Sequence, residues 1–321
     1  PSSSTAALAS SADHICPGSG ALVDVLMISG RAMADGSFVF HTESGFWRTD
    51  GTPTGTVQFS SSPAGGVIGG SGNSVFLSLD GGNGSELWKT DGTSSNTVQI
   101  KDIAPGSPGS NPDYFTRLGD FYYFAGKAST QYGNDGLWRT DGTPEGTTIV
   151  KTFKSWVGGL TTVGDLMYFN APTGNSSAGD RELWVSDGTE AGTYVLKDLR
   201  PGSSSSDPGG FVGAGGLTFF SADDGAGKEL FRTDGTPDGT FRVMDIKTGA
   251  AGSFPSHFTE FQGSVYFPAY DDVYDKEIWK TDGTEAGTMR VTDLVSGNLG
   301  HLEAFGDHLY FTLPAGGTLG T

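Results

Sequence analysis

Two histidine and glutamate pairs carry the most reactive combination in the chain: His257 with Glu260, and His301 with Glu303, placed alike in two successive copies of a repeated segment. Imidazoles and carboxylates that converge can hold a divalent metal or divide the acid and base roles of a hydrolytic or lyase reaction. Arg31 and Arg117 fall in the matching segment of earlier copies and join these four as ligand-binding candidates. Carboxylates gathered at Asp223-Asp224-Gly225 and Asp271-Asp272 are candidate oxygen ligands for calcium, although no helix-loop calcium pattern surrounds them. There is no Gly-x-Ser-x-Gly elbow, His-Glu-x-x-His helix or phosphate-binding Gly-Lys-Thr loop. A single cysteine, Cys16, excludes an internal disulfide and a cysteine-based metal cluster. No cofactor is expected, calcium being the one open alternative.

What must position these residues is a repeat. The copies read GFWRTDGTPTGT from Gly45, ELWKTDGTSSNT from Glu86, GLWRTDGTPEGT from Gly136, ELWVSDGTEAGT from Glu182, ELFRTDGTPDGT from Glu229 and EIWKTDGTEAGT from Glu277. Their aspartates, Asp50, Asp91, Asp141, Asp187, Asp234 and Asp282, lie 41, 50, 46, 47 and 48 residues apart, so 321 residues hold about seven units. Upstream of each motif stands a short aromatic and β-branched run bounded by turn residues, such as Tyr122-Tyr123-Phe124 or Val265-Tyr266-Phe267. That is strand chemistry. A further short run precedes it, and an alternating segment such as Val98 to Ile103 comes after the motif, giving four strands per unit. Gly or Pro interrupts nearly every window long enough for an amphipathic helix, so almost no helix is expected.

The fold class expected is therefore all-β: a seven-bladed β-propeller of four-stranded antiparallel blades in one domain. The units divide as 27–60, 61–106, 107–154, 155–202, 203–250 and 251–298, with a C-terminal half-blade at 299–321 and an N-terminal arm at 1–26. The last unit has only two strands, and Leu22-Val23-Asp24-Val25 matches Leu196-Lys197-Asp198-Leu199. The N-terminal strands are thus expected to complete the C-terminal blade and remove its free edges.

Within the motif strand, alternation sets Glu86, Trp88 and Thr90 on one face and Leu87, Lys89 and Asp91 on the other. Trp47, Trp88, Trp138, Trp184 and Trp279 share one position, with Phe231 in the remaining copy, which suits packing between blades. The Asp-Gly-Thr after the strand suits a tight turn, the carboxylate accepting N–H groups two residues on. The whole pattern resembles the ELWxTDGTxxGT repeats of large secreted or surface-anchored bacterial proteins, and it covers nearly the entire chain. Gly45 and Gly136 depart from it in place of Glu, Asn96 departs in place of the second Gly, and Ser60 to Gly65 replaces an acidic strand ending. The resemblance implies an extracellular or cell-surface location, with the periplasm as alternative, more than it implies an activity.

With 19 Lys+Arg against 37 Asp+Glu the formal charge is −18, which repels nucleic acid and anionic lipid. No apolar run approaches the roughly 18 residues of a membrane span. Six identical sites make a scaffold, so catalysis would have to use residues that differ between copies. The expected function is a non-catalytic binding or assembly module for a glycan, matrix or protein partner. Its preferred contact surface is the Ser/Gly/Pro-rich joins such as 104–110 and 200–203. One alternative is a carbohydrate-active hydrolase or lyase using Glu260, Glu303, His257 and His301. Another is a self-assembling extracellular filament or coat, with 1–11 as a docking arm.

Overall fold

The computed structural model describes residues 27–128, 135–174, 180–273, 276–296, 299, 302–312 and 318–319. The N-terminal closing strand expected at Leu22–Val25 lies outside them. Among the described residues the structure is all-β, with one short 3-10 turn at Ser94–Asn96 and no α-helix. Six antiparallel four-stranded sheets succeed one another, each with its strands in chain order.

The first three sheets are β1 (Met27–Ala32) to β4 (Val57–Ser60), with β2 (Phe38–Thr42) and β3 (Gly45–Thr49) between; β5 (Gly65–Ser71), β6 (Ser74–Asp80), β7 (Ser85–Thr90) and β8 (Val98–Lys101); and β9 (Asp113–Leu118), β10 (Phe121–Lys127), β11 (Asp135–Thr140) and β12 (Thr148–Phe153). The next three are β13 (Gly158–Val163), β14 (Leu166–Pro172), β15 (Arg181–Ser186) and β16 (Tyr194–Lys197); β17 (Gly209–Ala214), β18 (Leu217–Asp223), β19 (Lys228–Thr233) and β20 (Phe241–Met244); and β21 (Thr259–Phe261), β22 (Ser264–Ala269), β23 (Glu277–Thr281) and β24 (Met289–Arg290). Beyond them, β25 (Leu294–Ser296) pairs with β28 (Thr318–Leu319), and β26 (Leu302–Phe305) forms a hairpin with β27 (His308–Phe311). By internal packing the chain divides into two units, residues 27–116 with 121–152, and 117–120 with 153–319.

The register explains the recurring aromatics. Phe124 sits opposite Trp138, Phe169 opposite Trp184, Phe220 opposite Phe231 and Phe267 opposite Trp279, so each upstream aromatic run meets the motif aromatic across the strand pair. Faces then pack sheet against sheet. In the first unit Val39 and Phe46 meet Val75, Leu77 and Leu79, while Phe76, Leu87 and Ile100 meet Phe124. In the second unit Tyr168, Leu183 and Leu196 meet Phe211 and Phe220, and Phe219, Leu230 and Val243 meet Val265 and Phe267. Burying each such side chain contributes about 2 kcal/mol. The outer strand adds a polar clamp: Lys101 Nζ donates to the carbonyl of Thr147 at 2.7 Å, and Lys197 Nζ does the same to Thr240 at 2.5 Å.

The motif turn repeats with little variation. The Asp187 carboxylate accepts the Thr189 N–H at 2.8 Å and the Thr189 hydroxyl at 2.7 Å, and Gly188 takes φ +91°. The same pair of bonds is made by Asp50, Asp91, Asp141, Asp234 and Asp282. Glycine suits the second position because a Cβ on Gly192 would lie 2.0 Å from the Asp187 carboxylate as it stands. Asn96 occupies that position in the second sheet and compensates by donating its amide to Asp91 at 2.6 Å.

Candidate functional site

The first residue of the motif has a role that its strand pattern alone does not reveal. Glu86, Glu182 and Glu229 are buried, at 2%, 0% and 0% exposure. Glu182 accepts the Leu199 N–H at 2.8 Å, the Ser206 N–H at 2.9 Å and the Ser206 hydroxyl at 2.6 Å. Glu86 does the same with Ile103, Ala104 and Ser110, and Glu229 with Ile246, Lys247 and Ser253. Each carboxylate thereby staples the chain leaving its sheet. The stapled serine also reaches forward: the carbonyls of Ser110, Ser206 and Ser253 accept N–H groups from Lys127, Asp223 and Tyr270 in or just after the second strand of the next sheet. Burial pushes the Glu182 and Glu229 carboxyls above the ordinary glutamate value, against the opposing pull of these donors.

A signal for this was present. Glu86 and Ser110, Glu182 and Ser206, and Glu229 and Ser253 are each separated by 24 residues. Counting the same interval from Glu277 reaches His301, which lies outside the described residues. Glu277 accepts the Thr292 hydroxyl at 2.5 Å.

Where the motif carries glycine, the joins differ. Gly45 has φ +126°, and a Cβ there would stand 2.2 Å from the Ser60 carbonyl oxygen, so the departing chain runs through the space a glutamate side chain would take. Beside this join is an open groove of about 590 Å³, lined by Ser60–Ala64, Leu79–Gly82, Trp88 and the Ser94 and Thr97 side of the motif turn. The Trp88 indole N–H is buried there with no hydrogen-bond partner, as is that of Trp279 in the sixth sheet, whereas Trp138 and Trp184 donate to the Gly126 and Ala171 carbonyls. The other glycine, Gly136, is followed 24 residues on by the buried Leu160 in place of serine. The intervening join carries Trp156, the only tryptophan outside the motif position, 43% exposed.

The other singled-out residues are dispersed. Arg31 is half-buried on β1, and Arg117 is exposed on β9, where its Nε donates to the Gly119 carbonyl at 3.0 Å. His257, at φ +48°, is exposed and lies 3.2 Å from the Ser256 hydroxyl. Glu260 is exposed on β21 and accepts the Gly263 N–H of its own hairpin at 2.9 Å; Glu303 is exposed on β26. Thr259 Oγ1 donates to the Leu302 carbonyl at 3.0 Å, which sets the strands of Glu260 and Glu303 side by side. Asp223 pairs with Arg200 at 2.6 Å, and Asp224 and Asp271 lie 3.7 Å from Arg242 and Arg290. Asp272 accepts the Thr248 hydroxyl at 2.7 Å. Among the described residues no three His, Cys, Asp or Glu side chains group as a metal site would. No helix among them is long and apolar enough to cross a membrane.

No family model and no curated protein sequence matches the chain. Solved structures match in fold. Puromycin hydrolase aligns with TM-score 0.55 and 11% identity over 87% of this chain and 49% of its own. Prolyl oligopeptidase B from Galerina marginata aligns with TM-score 0.53 and 13% identity over 90% of this chain and 47% of its own. The AfRom2 CNH domain aligns with TM-score 0.50 and 11% identity over 91% and 94%. The chain spans about half the length of the two enzymes. At such identities the likeness is one of fold alone: a propeller-like succession of four-stranded antiparallel sheets.

Proposed function

We propose that the chain is a non-catalytic binding module of a secreted or cell-surface protein, taking a glycan or protein partner at the joins between its sheets. The observation that carries this reading is the differentiated first join. There Gly45 stands in place of the motif glutamate and a groove opens beside Trp88, in a repeat whose aspartates and whose Glu86, Glu182 and Glu229 are committed to turns and staples. A concave surface with one aromatic and a few polar groups is the usual form of a small-ligand site. The resemblance of the repeat to ELWxTDGTxxGT proteins supports the location. The same proposal includes seven blades, with Leu22–Val25 completing the sheet that β26 and β27 begin. Removing residues 1–26 should then lower the melting temperature, and an unchanged value would count against closure.

The placement of Glu260 and Glu303 on neighbouring strands favours one second reading, a carbohydrate-active hydrolase or lyase. Affinity electrophoresis in soluble polysaccharides, run beside an assay for new reducing ends, separates the two. Retention without chain cleavage is the expected outcome. Cleavage that disappears in the Glu260→Gln and Glu303→Gln variants would replace the binding reading with the enzymatic one.

A further inference from the structure

We infer that Trp156, Arg181 and Asp207 form a carbohydrate subsite that takes the face and edge of a pyranose ring. This rests on the reading of the chain as a binding module. All three residues belong to the second unit.

Trp156 is held in place although it is exposed. A Cβ on Gly158 would lie 2.1 Å from Trp156 Cζ2, so the glycine backbone abuts the benzo ring and limits its motion. A fixed indole offers a large contact area with little entropy left to lose on binding. Over part of the ring stands the Arg181 guanidinium, its carbon 5.7 Å from the centroid. Arg181 Nε and Nη2 both donate to Asp207 Oδ1, at 3.0 and 2.6 Å. That leaves Arg181 Nη1 as a donor and Asp207 Oδ2 as an acceptor without partners among the described residues, on side chains 33% and 46% exposed.

The pair is itself braced. Lys228 Nζ donates to the Asp207 carbonyl at 3.0 Å, and the Arg181 N–H donates to the Ser205 hydroxyl at 3.0 Å.

This combination selects among ligands. A single indole beside a guanidinium repels an organic cation rather than caging it. The net charge of −18 disfavours a nucleic acid strand, whose bases an exposed tryptophan could otherwise stack. A neutral sugar satisfies every element: its C–H face lies on the part of the indole that the guanidinium leaves exposed, and two neighbouring hydroxyls serve as acceptor for Nη1 and donor to Oδ2.

The test uses the full chain and gels containing dextran, laminarin, mannan or xylan, all neutral pyranose polymers. The wild type should be retarded by at least one of them. Trp156→Ala and Asp207→Asn should each weaken retardation about tenfold or more, as loss of a central aromatic or polar anchor does. The melting temperature of Trp156→Ala should stay at the wild-type value. Absence of retardation on all four polymers overturns the subsite. Equal retardation of wild type and Trp156→Ala overturns it too, while leaving the binding-module reading in place. Cleavage of the polymer that depends on Glu260 or Glu303 overturns that reading instead.

Discussion

The join after β16 and the join after β4 pass the chain from one sheet to the next by different chemistry. After β16, Glu182 gathers the Leu199 and Ser206 N–H groups and the Ser206 hydroxyl, so the backbone of the join is tied to the interior. After β4, Gly45 leaves room for the Ser60 carbonyl itself, and its position on the motif strand supplies no carboxylate to hold the departing segment. After β4 a groove lies beside the join, and the Trp88 indole N–H within it has no hydrogen-bond partner. A repeat of this kind therefore builds its rigid parts by repetition and its distinctive surface by dropping one side chain from the pattern.

The two joins differ most in energy at the staple. Glu182→Ala strands two N–H groups and a hydroxyl in a buried site, and should cost about 3 kcal/mol of stability. Ser206→Ala removes a single hydroxyl bond to the carboxylate and should cost about half as much, roughly 1.5 kcal/mol. Urea denaturation of the two variants reads the ratio. Equal losses for both would mean that the hydroxyl, not the buried carboxylate, carries the tie.

The turn that every copy retains contributes less than the staple. Asp187→Ala should cost about 1 kcal/mol, since the turn is solvent-exposed and its bonds are discounted accordingly. The Thr189 hydroxyl and N–H hold the Asp187 carboxyl below its ordinary value. A depressed acid contributes stability above the unfolded aspartate pKa of about 3.9 and loses it as pH falls through the folded value. The gap between wild type and Asp187→Ala should thus be full at pH 7 and shrink below about pH 4. Glu182 and Glu229 run the other way, because burial raises them: their protonated forms are favoured by folding, and their contribution diminishes as pH rises through the raised value. Urea midpoints at pH 7 and pH 3 measure the difference. A gap that stays constant would mean that ionisation of the carboxyl contributes nothing to the turn.

Much of the fold was legible because strand chemistry and turn chemistry are local. Aromatic runs bounded by glycine mark strands, and Asp-Gly-Thr marks a turn whose bonds close within a few residues. The staple was less legible. Its partners stand 24 residues apart, and a glutamate heading an alternating strand reads as solvent-facing until the neighbouring join is seen to cover it. The groove and the exposure of Trp156 were least legible of all, since Ser60–Ala64 and the segment around Trp156 look like ordinary connections. The placing of Arg31, Arg117, His257, Glu260 and Glu303 likewise came from no local signal.

The amino-acid order by itself determined the repeat, the four strands per unit and the turn, because each depends on periodicity and on side chains bonding to near neighbours. Only the tertiary structure decided which carboxylates are interior staples, which joins are left open, and which tryptophan faces solvent. Those outcomes depend on what covers a residue from a distant part of the chain, and burial of that kind has no period to be read.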